Sequence, residues 1–188
     1  ARAAGAIIKQ GFYGKKSVEE KKNASDLVTE TDVKSEELVL SRLKAAFPDH
    51  KFIGEENSAA LGGSPDLTDE PTWMCDPLDG TTNFVHSFPF VCVSIGLAVK
   101  QRVVVGVVYN PILDELFTAA QGCGAALNGQ PIRVSGASQM AHGLLATEVG
   151  VNRDAATFQA VFGRVQALAQ VMRSVRCCGS CALNLCSV

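Results

Sequence analysis

The sequence predicts an α+β fold that passes into an α/β unit near residue 140. Three observations carry this. A capped helix opens near Thr29, apolar segments between Phe90 and Ala119 are broken by tight-turn residues, and from Gly143 onward strand-like and helix-like stretches alternate. The length of 188 residues suits one domain or one and a half, divided here as residues 1–140 and 141–188. With 47% hydrophobic and 19% charged residues the chain lies in the globular range, far from disorder.

Ala3 to Phe12 mixes small and apolar residues up to Gly14, as a helix does near its end. Lys15 to Ser25 reads as a loop in which Lys15, Lys16, Lys21 and Lys22 are interleaved with Glu19 and Glu20, the pattern of a solvated surface. Thr29-Glu30-Thr31-Asp32 matches a capping box, in which a hydroxyl and a carboxylate satisfy the free N–H groups of a helix start. Asp32 thus falls in the first turn of a helix whose Val39, Leu43, Ala46 and Phe47 share one face and which Pro48 stops. Lys51-Phe52-Ile53 and Thr72 to Cys75 are short strands, and both end on acids: Glu55 and Glu56, then Asp76 and Asp79.

From Phe90 to Val99 large residues alternate with small ones, as in a strand buried on both faces with the small face close against a helix. Val103 to Tyr109 and Glu115 to Ala119 continue across turns at Lys100-Gln101-Arg102 and Asn110-Pro111, and Asn128-Gly129 signals a two-residue hairpin. Together these make an antiparallel meander. After Ser135 to Ser138, Gly143 to Thr147 reads as a strand, Ala155 to Leu168 as a helix, Val171 to Val175 as a strand and Ser180 onward as a helix.

Seventeen Lys plus Arg against nineteen Asp plus Glu give a formal charge of −2 with no polybasic block, which argues against a nucleic-acid or membrane partner and for a small molecule. Seven cysteines, four of them at Cys177, Cys178, Cys181 and Cys186, fit a reducing compartment better than a disulfide framework; residence in the cytoplasm is expected, with an organelle also open. No run of about 18 apolar residues spans a bilayer, and the first ten residues lack the regions of a signal peptide. The chain begins without Met and stops inside a helix-like pattern at Val188, so a fragment is expected.

The densest chemistry lies in Asp76-Pro77-Leu78-Asp79-Gly80-Thr81-Thr82. Two Asp held by a rigid Pro and followed by Gly can turn both carboxylates, and the carbonyl between them, toward one point. Hard cations want that oxygen set, and Mg2+ keeps waters for a substrate phosphate. Gly80 lets the backbone approach closely, and N–H groups at Gly80, Thr81 and Thr82, if they open a helix, meet an anion with positive partial charge. Asp-Pro and Asp-Gly also form ordinary surface turns. Glu55 and Glu56 tip the balance, because four converging acids repel one another unless a cation sits among them.

Asp26-Leu27-Val28-Thr29-Glu30-Thr31-Asp32, then Phe52-Ile53-Gly54-Glu55-Glu56, then Asp76-Pro77-Leu78-Asp79-Gly80-Thr81-Thr82-Asn83-Phe84-Val85-His86, in that order, resemble the inositol monophosphatase family. The similarity runs on through Phe88-Pro89-Phe90, Asn128-Gly129 and Thr147-Glu148. It implies a layered αβαβα sandwich of the sugar-phosphatase type, a metal- and phosphate-binding α+β part followed by the start of a substrate-side α/β part, and a magnesium-dependent, lithium-sensitive phosphatase for small phosphate monoesters. By position it implies Glu56, Asp76, Asp79 and the Leu78 carbonyl as ligands for two or three Mg2+ ions, with Glu56 preferred to Glu55. Thr81 and Asp32 become the pair that orients and deprotonates the attacking water. Gly80, Thr81 and Thr82 become the phosphate cradle.

The resemblance also places Gly179, Ser180 and Cys181 where the backbone meets substrate hydroxyls, although a helix cap explains them nearly as well, and Lys21 near a metal-bound water. Relatives of this kind are commonly dimers, which points to a homodimer. His86 is given no catalytic role, and Cys178 and Cys181 are expected to be buried, reduced thiols. The substrate is expected to be inositol monophosphate or a related sugar phosphate. Histidinol phosphate, galactose 1-phosphate, a bisphosphate nucleotide, or a non-catalytic metal-binding role are the alternatives. Cys75 stands where the family usually has an aliphatic residue, a tolerable swap. The family's downstream Trp-Asp segment, which supplies a further carboxylate, has no counterpart before Val188, so residues 1–188 alone are expected to release little or no phosphate in a turnover assay with Mg2+.

Overall fold

Strand-forming residues dominate the middle of the chain, and they build the sheet from which the site hangs. The computed structural model describes residues 1–21, 23–63 and 65–188; Lys22, part of the predicted Lys-rich loop, lies outside them. In chain order the elements are α1 (Arg2–Tyr13), β1 (Val18–Glu20), β2 (Leu27–Thr29), α2 (Glu30–Ala46), β3 (Lys51–Gly54), α3 (Glu55–Ala60), β4 (Thr72–Asp79) and α4 (Thr81–Val85). The meander follows as β5 (Cys92–Val99), β6 (Arg102–Asn110), β7 (Glu115–Ala120), β8 (Gly124–Leu127) and β9 (Gln130–Ile132). The remainder is β10 (Leu144–Ala146), α5 (Ala155–Ala169), β11 (Ser174–Arg176) and α6 (Cys181–Cys186).

The main sheet has the order β3-β4-β5-β6-β7-β8-β9. Only β3 and β4 run parallel, which is why both deliver their last residues to the same edge. The rest is the expected meander, and β8 returns into β9 through Asn128 and Gly129, both at positive φ as a type I′ turn requires. β10 and β11 form a separate parallel pair bridged by α5, the right sequence grammar for a βαβ unit. Among the described residues no helix is long and apolar enough to cross a membrane.

Helices α1 and α2 cover one face of the main sheet. Ile8, Phe12, Val39 and Leu40 pack there against Trp73, Cys75, Val91, Val93 and Ile95. The large-residue face of β5 meets α1 and α2, and its small face meets α6 at Cys92, whose Sγ lies 3.7 Å from Ser180 Oγ; farther along that face Ser94 and Gly96 line an open groove of about 600 Å³ with Met74 and Val108. Two expectations change. Val18–Glu20, read as loop, pairs antiparallel with Leu27–Thr29, because the apolar Leu27 and Val28 give an otherwise polar turn a strand to lie against. On α2 the buried face is drawn from Thr31, Asp32, Ser35, Glu36, Val39 and Leu40, while Ala46 and Phe47 are exposed, so the first two turns are fixed by polar contacts rather than by an apolar stripe.

Candidate active site

The predicted capping box forms and does two jobs. Thr29 Oγ1 accepts from Thr31 N–H at 3.2 Å, while Asp32 Oδ2 accepts the Thr29 N–H at 2.8 Å and the Thr29 hydroxyl at 2.5 Å. The other oxygen, Asp32 Oδ1, is left facing Thr81 Oγ1 at 3.2 Å. That hydroxyl also lies 3.1 Å from the Leu78 carbonyl oxygen. Asp32 is 1% exposed, and burial pushes its carboxyl above the usual range against the opposing bonds from Thr29.

β4 ends in a register shift against β5 between Asp76 and Asp79, and the irregular backbone turns both acids and the Leu78 carbonyl off the sheet edge. Gly80 completes the turn at φ 91°, where a Cβ would meet the Phe90 carbonyl oxygen at 2.9 Å, and hands the chain to α4 with Thr81 as its first residue. Asp76 accepts the Leu78 N–H at 3.1 Å. Its carboxyl is pushed up to about 9, first by burial and then by the charges of Glu55 and Asp79, and it lies within hydrogen-bond reach of Glu55.

The acid that joins Asp76 is thus Glu55, and the expectation of Glu56 is corrected. Glu55 and Glu56 open α3, where successive side chains point about 100° apart, so only one can face Asp76. Glu56 instead accepts Lys21 Nζ at 2.8 Å, and Lys21 reaches Glu55 as well at 3.2 Å. Burial opposes the charge on Lys21, but the bonds to Glu56 and Glu55 outweigh it and hold the ammonium above its ordinary value. Burial likewise lifts Glu56, more than Lys21 lowers it.

A residue that sequence reasoning missed sets this geometry. Glu36, 2% exposed, accepts the N–H of Glu56 at 2.8 Å and of Asn57 at 2.9 Å, and so anchors the start of α3. Gly54 is required beside it, because a Cβ there would press into the Glu36 carboxylate. The available signal was an acid one helical turn after Asp32, on the face that the capping box turns inward. Replacing Glu36 by Ala should cost about 3 kcal/mol in denaturant unfolding, the scale of two charge-assisted bonds lost from a buried acceptor.

Asp79 Oδ2 accepts the Ser180 hydroxyl at 2.6 Å and the Ala182 N–H at 2.7 Å, tying β4 to α6. Ser180 Oγ in turn caps α6 by accepting Leu183 N–H at 3.2 Å. Gly179 N–H goes to Glu148 Oε1 at 2.8 Å, and Glu148 also takes Cys178 N–H at 3.1 Å and Asn184 Nδ2 at 2.6 Å. In Gly179-Ser180-Cys181 the hydroxyl and the glycine N–H are therefore engaged within the fold, the cap reading, although Gly179 and Cys181 line the cavity. Sequence reasoning also missed Asn83, whose Nδ2 donates to the carbonyls of Phe90 at 2.8 Å and Cys178 at 2.6 Å. All seven cysteines are free; Cys178 is half-buried and Cys181 exposed, so the expectation of buried thiols fails for Cys181, which sits on the rim of the cavity.

These elements enclose a cavity of about 450 Å³ bordered by Glu55, Asp79, Gly80, Thr81 and Thr82, a volume suited to a small molecule. His86 borders it too, exposed. A hollow of about 490 Å³ under β6 to β8 is apolar and contains none of these acids. Among the described residues no three His, Cys, Asp or Glu side chains converge tightly enough to hold an ion as they stand, since Asp79 is turned to Ser180 and Glu56 to Lys21. The donor chemistry nonetheless fits a hard cation. Glu55, Asp76, Asp79 and the Leu78 carbonyl offer only oxygens, and the Asp76 carboxyl, pushed up by burial and then by the charges of Glu55 and Asp79, lies where a divalent ion would favour its ionised form.

The sequence model described as "Inositol monophosphatase family" matches residues 1–188. Inositol monophosphatase 2 of Solanum lycopersicum is 61% identical over 188 residues, which are 100% of this chain and 71% of that protein. The solved structure of extragenic suppressor protein suhB from Bartonella henselae superposes with a TM-score of 0.87 at 31% identity, over 100% of this chain and 70% of that one. A solved IMPase/NADP phosphatase complexed with NADP and Ca2+ superposes at 0.81 with 25% identity, over 100% of this chain and 67% of that one.

Proposed function

This chain belongs to the inositol monophosphatase family and is a phosphoric monoester hydrolase, and we propose that it takes inositol monophosphate or a related small sugar phosphate to the alcohol and inorganic phosphate. One observation carries the reading of the site: the Thr81 hydroxyl, held between Asp32 Oδ1 at 3.2 Å and the Leu78 carbonyl at 3.1 Å, at the border of a cavity that Glu55 and Asp79 also line.

In this reading Glu55, Asp76, Asp79 and the Leu78 carbonyl hold divalent cations, with Mg2+ as the ion and more than one per site. When bound, the ion supplies positive charge to the phosphoryl oxygens and makes a water acidic enough to attack. The chain's own groups do the rest. Thr81 is a poor base alone, but its hydroxyl can take a proton from a water in the cavity and pass its own to Asp32 Oδ1. Burial raises the basicity of Asp32, and the bonds from Thr29 fix its position. Backbone N–H groups at Gly80 to Thr82 meet the phosphate where α4 starts.

Release of inorganic phosphate from inositol 1-phosphate by the full-length protein with Mg2+ is the test, and a folded, Mg2+-supplied protein that releases none overturns the reading. Thr81→Val should lower turnover about a hundredfold or more while Thr81→Ser keeps most of it, the expected size of a lost proton relay. Equal loss in both variants would count against a hydroxyl relay.

A pH effect follows from Asp76. Its carboxyl keeps a proton to about pH 9 in the folded chain but only through the ordinary carboxylate range when unfolded. The folded state then binds more protons between those limits, so the contribution is full at acid pH and is lost as pH rises toward about 9. In EDTA the melting temperature should fall across that window, and Mg2+ should flatten the fall. Asp76→Asn should show a shallower fall in EDTA than wild type, the remainder coming from Asp32 and Glu56, whose carboxyls burial also raises.

A further inference from the structure

The cavity beside Thr81 has a second part to its lining, made by the turn between β1 and β2 and by the loop after β10. Two bonds join these segments: Asn23 Nδ2 donates to the Val151 carbonyl at 3.3 Å, and Arg153 Nη2 donates to Ser25 Oγ at 2.9 Å. Arg153 Nη1 also donates to the carbonyls of Gly150 at 2.7 Å and Asn152 at 3.1 Å. Three of the five guanidinium N–H groups are thus bonded within the protein. The fork is held in place, and two donors stay available.

Among the described residues Arg153 is the only Arg or Lys that lines this cavity, whereas Asp26, Glu55, Asp79 and Glu148 all do. A fixed cation with spare donors beside acids suits hydroxyl groups, which accept from the guanidinium and donate to a carboxylate. It suits a second phosphate poorly, because Asp26, next to Ser25 in the chain, would repel it.

We propose that Arg153 is a specificity-determining residue that binds hydroxyl oxygens on the alcohol part of the substrate, so that the site favours polyol monophosphates. The assignment rests on the phosphatase reading above, and it makes Arg153 a contact for the part of the ester that does not react. Binding energy there acts mainly on KM, because the contact is the same before and during phosphoryl transfer.

The experiment compares inositol 1-phosphate with p-nitrophenyl phosphate, which has no hydroxyl on its alcohol part, across the full-length wild type, Arg153→Ala, Arg153→Lys and Ser25→Ala. Arg153→Ala should raise KM for inositol 1-phosphate about tenfold or more, the scale of lost bonds to a charged donor. Its kcat should be kept, and p-nitrophenyl phosphate should change by less than about twofold. Arg153→Lys should fall between, because it keeps the charge and loses the fork, and Ser25→Ala, which removes one of the three bonds holding the fork, should show a smaller loss than Arg153→Ala and only on inositol 1-phosphate. Equal losses on both substrates, the same loss in Ser25→Ala, or no change in Arg153→Ala would each overturn the assignment. So would a larger loss on an inositol bisphosphate, which would make Arg153 a reader of a second anion. Wild type that hydrolyses neither monoester removes the phosphatase reading and this one with it. Wild type active on both, with an unchanged substrate ratio in Arg153→Ala, removes only the role of Arg153.

Discussion

Asp79→Asn should lower phosphate release about a thousandfold or more, because it removes a charge from the place where the phosphoryl group and its counter-ion meet. The substitution keeps the size of the side chain, and an amide oxygen can still accept from Ser180 and Ala182, so α6 keeps its tie to β4. Ser180→Ala is the control that separates charge from scaffold. It deletes the 2.6 Å bond to Asp79 and the cap of α6 but leaves the carboxylate, and it should cost stability of about 1 kcal/mol with a much smaller effect on turnover. Phosphate release and denaturant unfolding on the two variants decide the matter. Near-normal turnover in Asp79→Asn would remove this carboxylate from the chemistry.

Phe84→Ala should destabilise the fold by about 3–5 kcal/mol in denaturant unfolding, the range for emptying a buried aromatic site. Phe84 is 0% exposed and meets the Phe12 ring edge-on at 6.1 Å, with the Lys16 ammonium 5.5 Å from its centroid. It is also the one buried residue of α4, the five-residue helix that begins with Thr81. Loss of the ring therefore removes what seats that helix on α1, and turnover should fall with stability. A variant that unfolds at wild-type denaturant concentrations would show that α4 is held by its hydrogen bonds alone.

Much of this arrangement was readable from the chain because its signals are local. A capping box needs only residues 29 to 32, and the hairpin at Asn128-Gly129 needs only two residues that tolerate positive φ. Asp76, Asp79 and Gly80 sit at a strand end, where the register shift turns them out together. The choice between Glu55 and Glu56 was not local. It depends on the phase of α3, which Glu36 sets from another helix, and on Lys21, which arrives from the β1–β2 hairpin. β5 shows a related limit: alternation of large and small residues marks its two faces but does not say that α1 and α2 cover the large one while α6 meets the small one. Glu148 and Asn83 gave no warning because their partners, the carbonyls of Phe90 and Cys178 for Asn83 and the N–H groups of residues 178 and 179 with the Asn184 amide for Glu148, lie on other segments, and no local spacing announces such contacts.

Asp32 spends one oxygen on the first turn of α2 and offers the other to Thr81. A protein chemist wanting an inert form that still captures its ligand should therefore leave Asp32 alone. Removing it would fray a helix along with the reaction, and any weakened capture would be ambiguous. Thr81 has no such double duty, so silencing there gives the cleaner decoy.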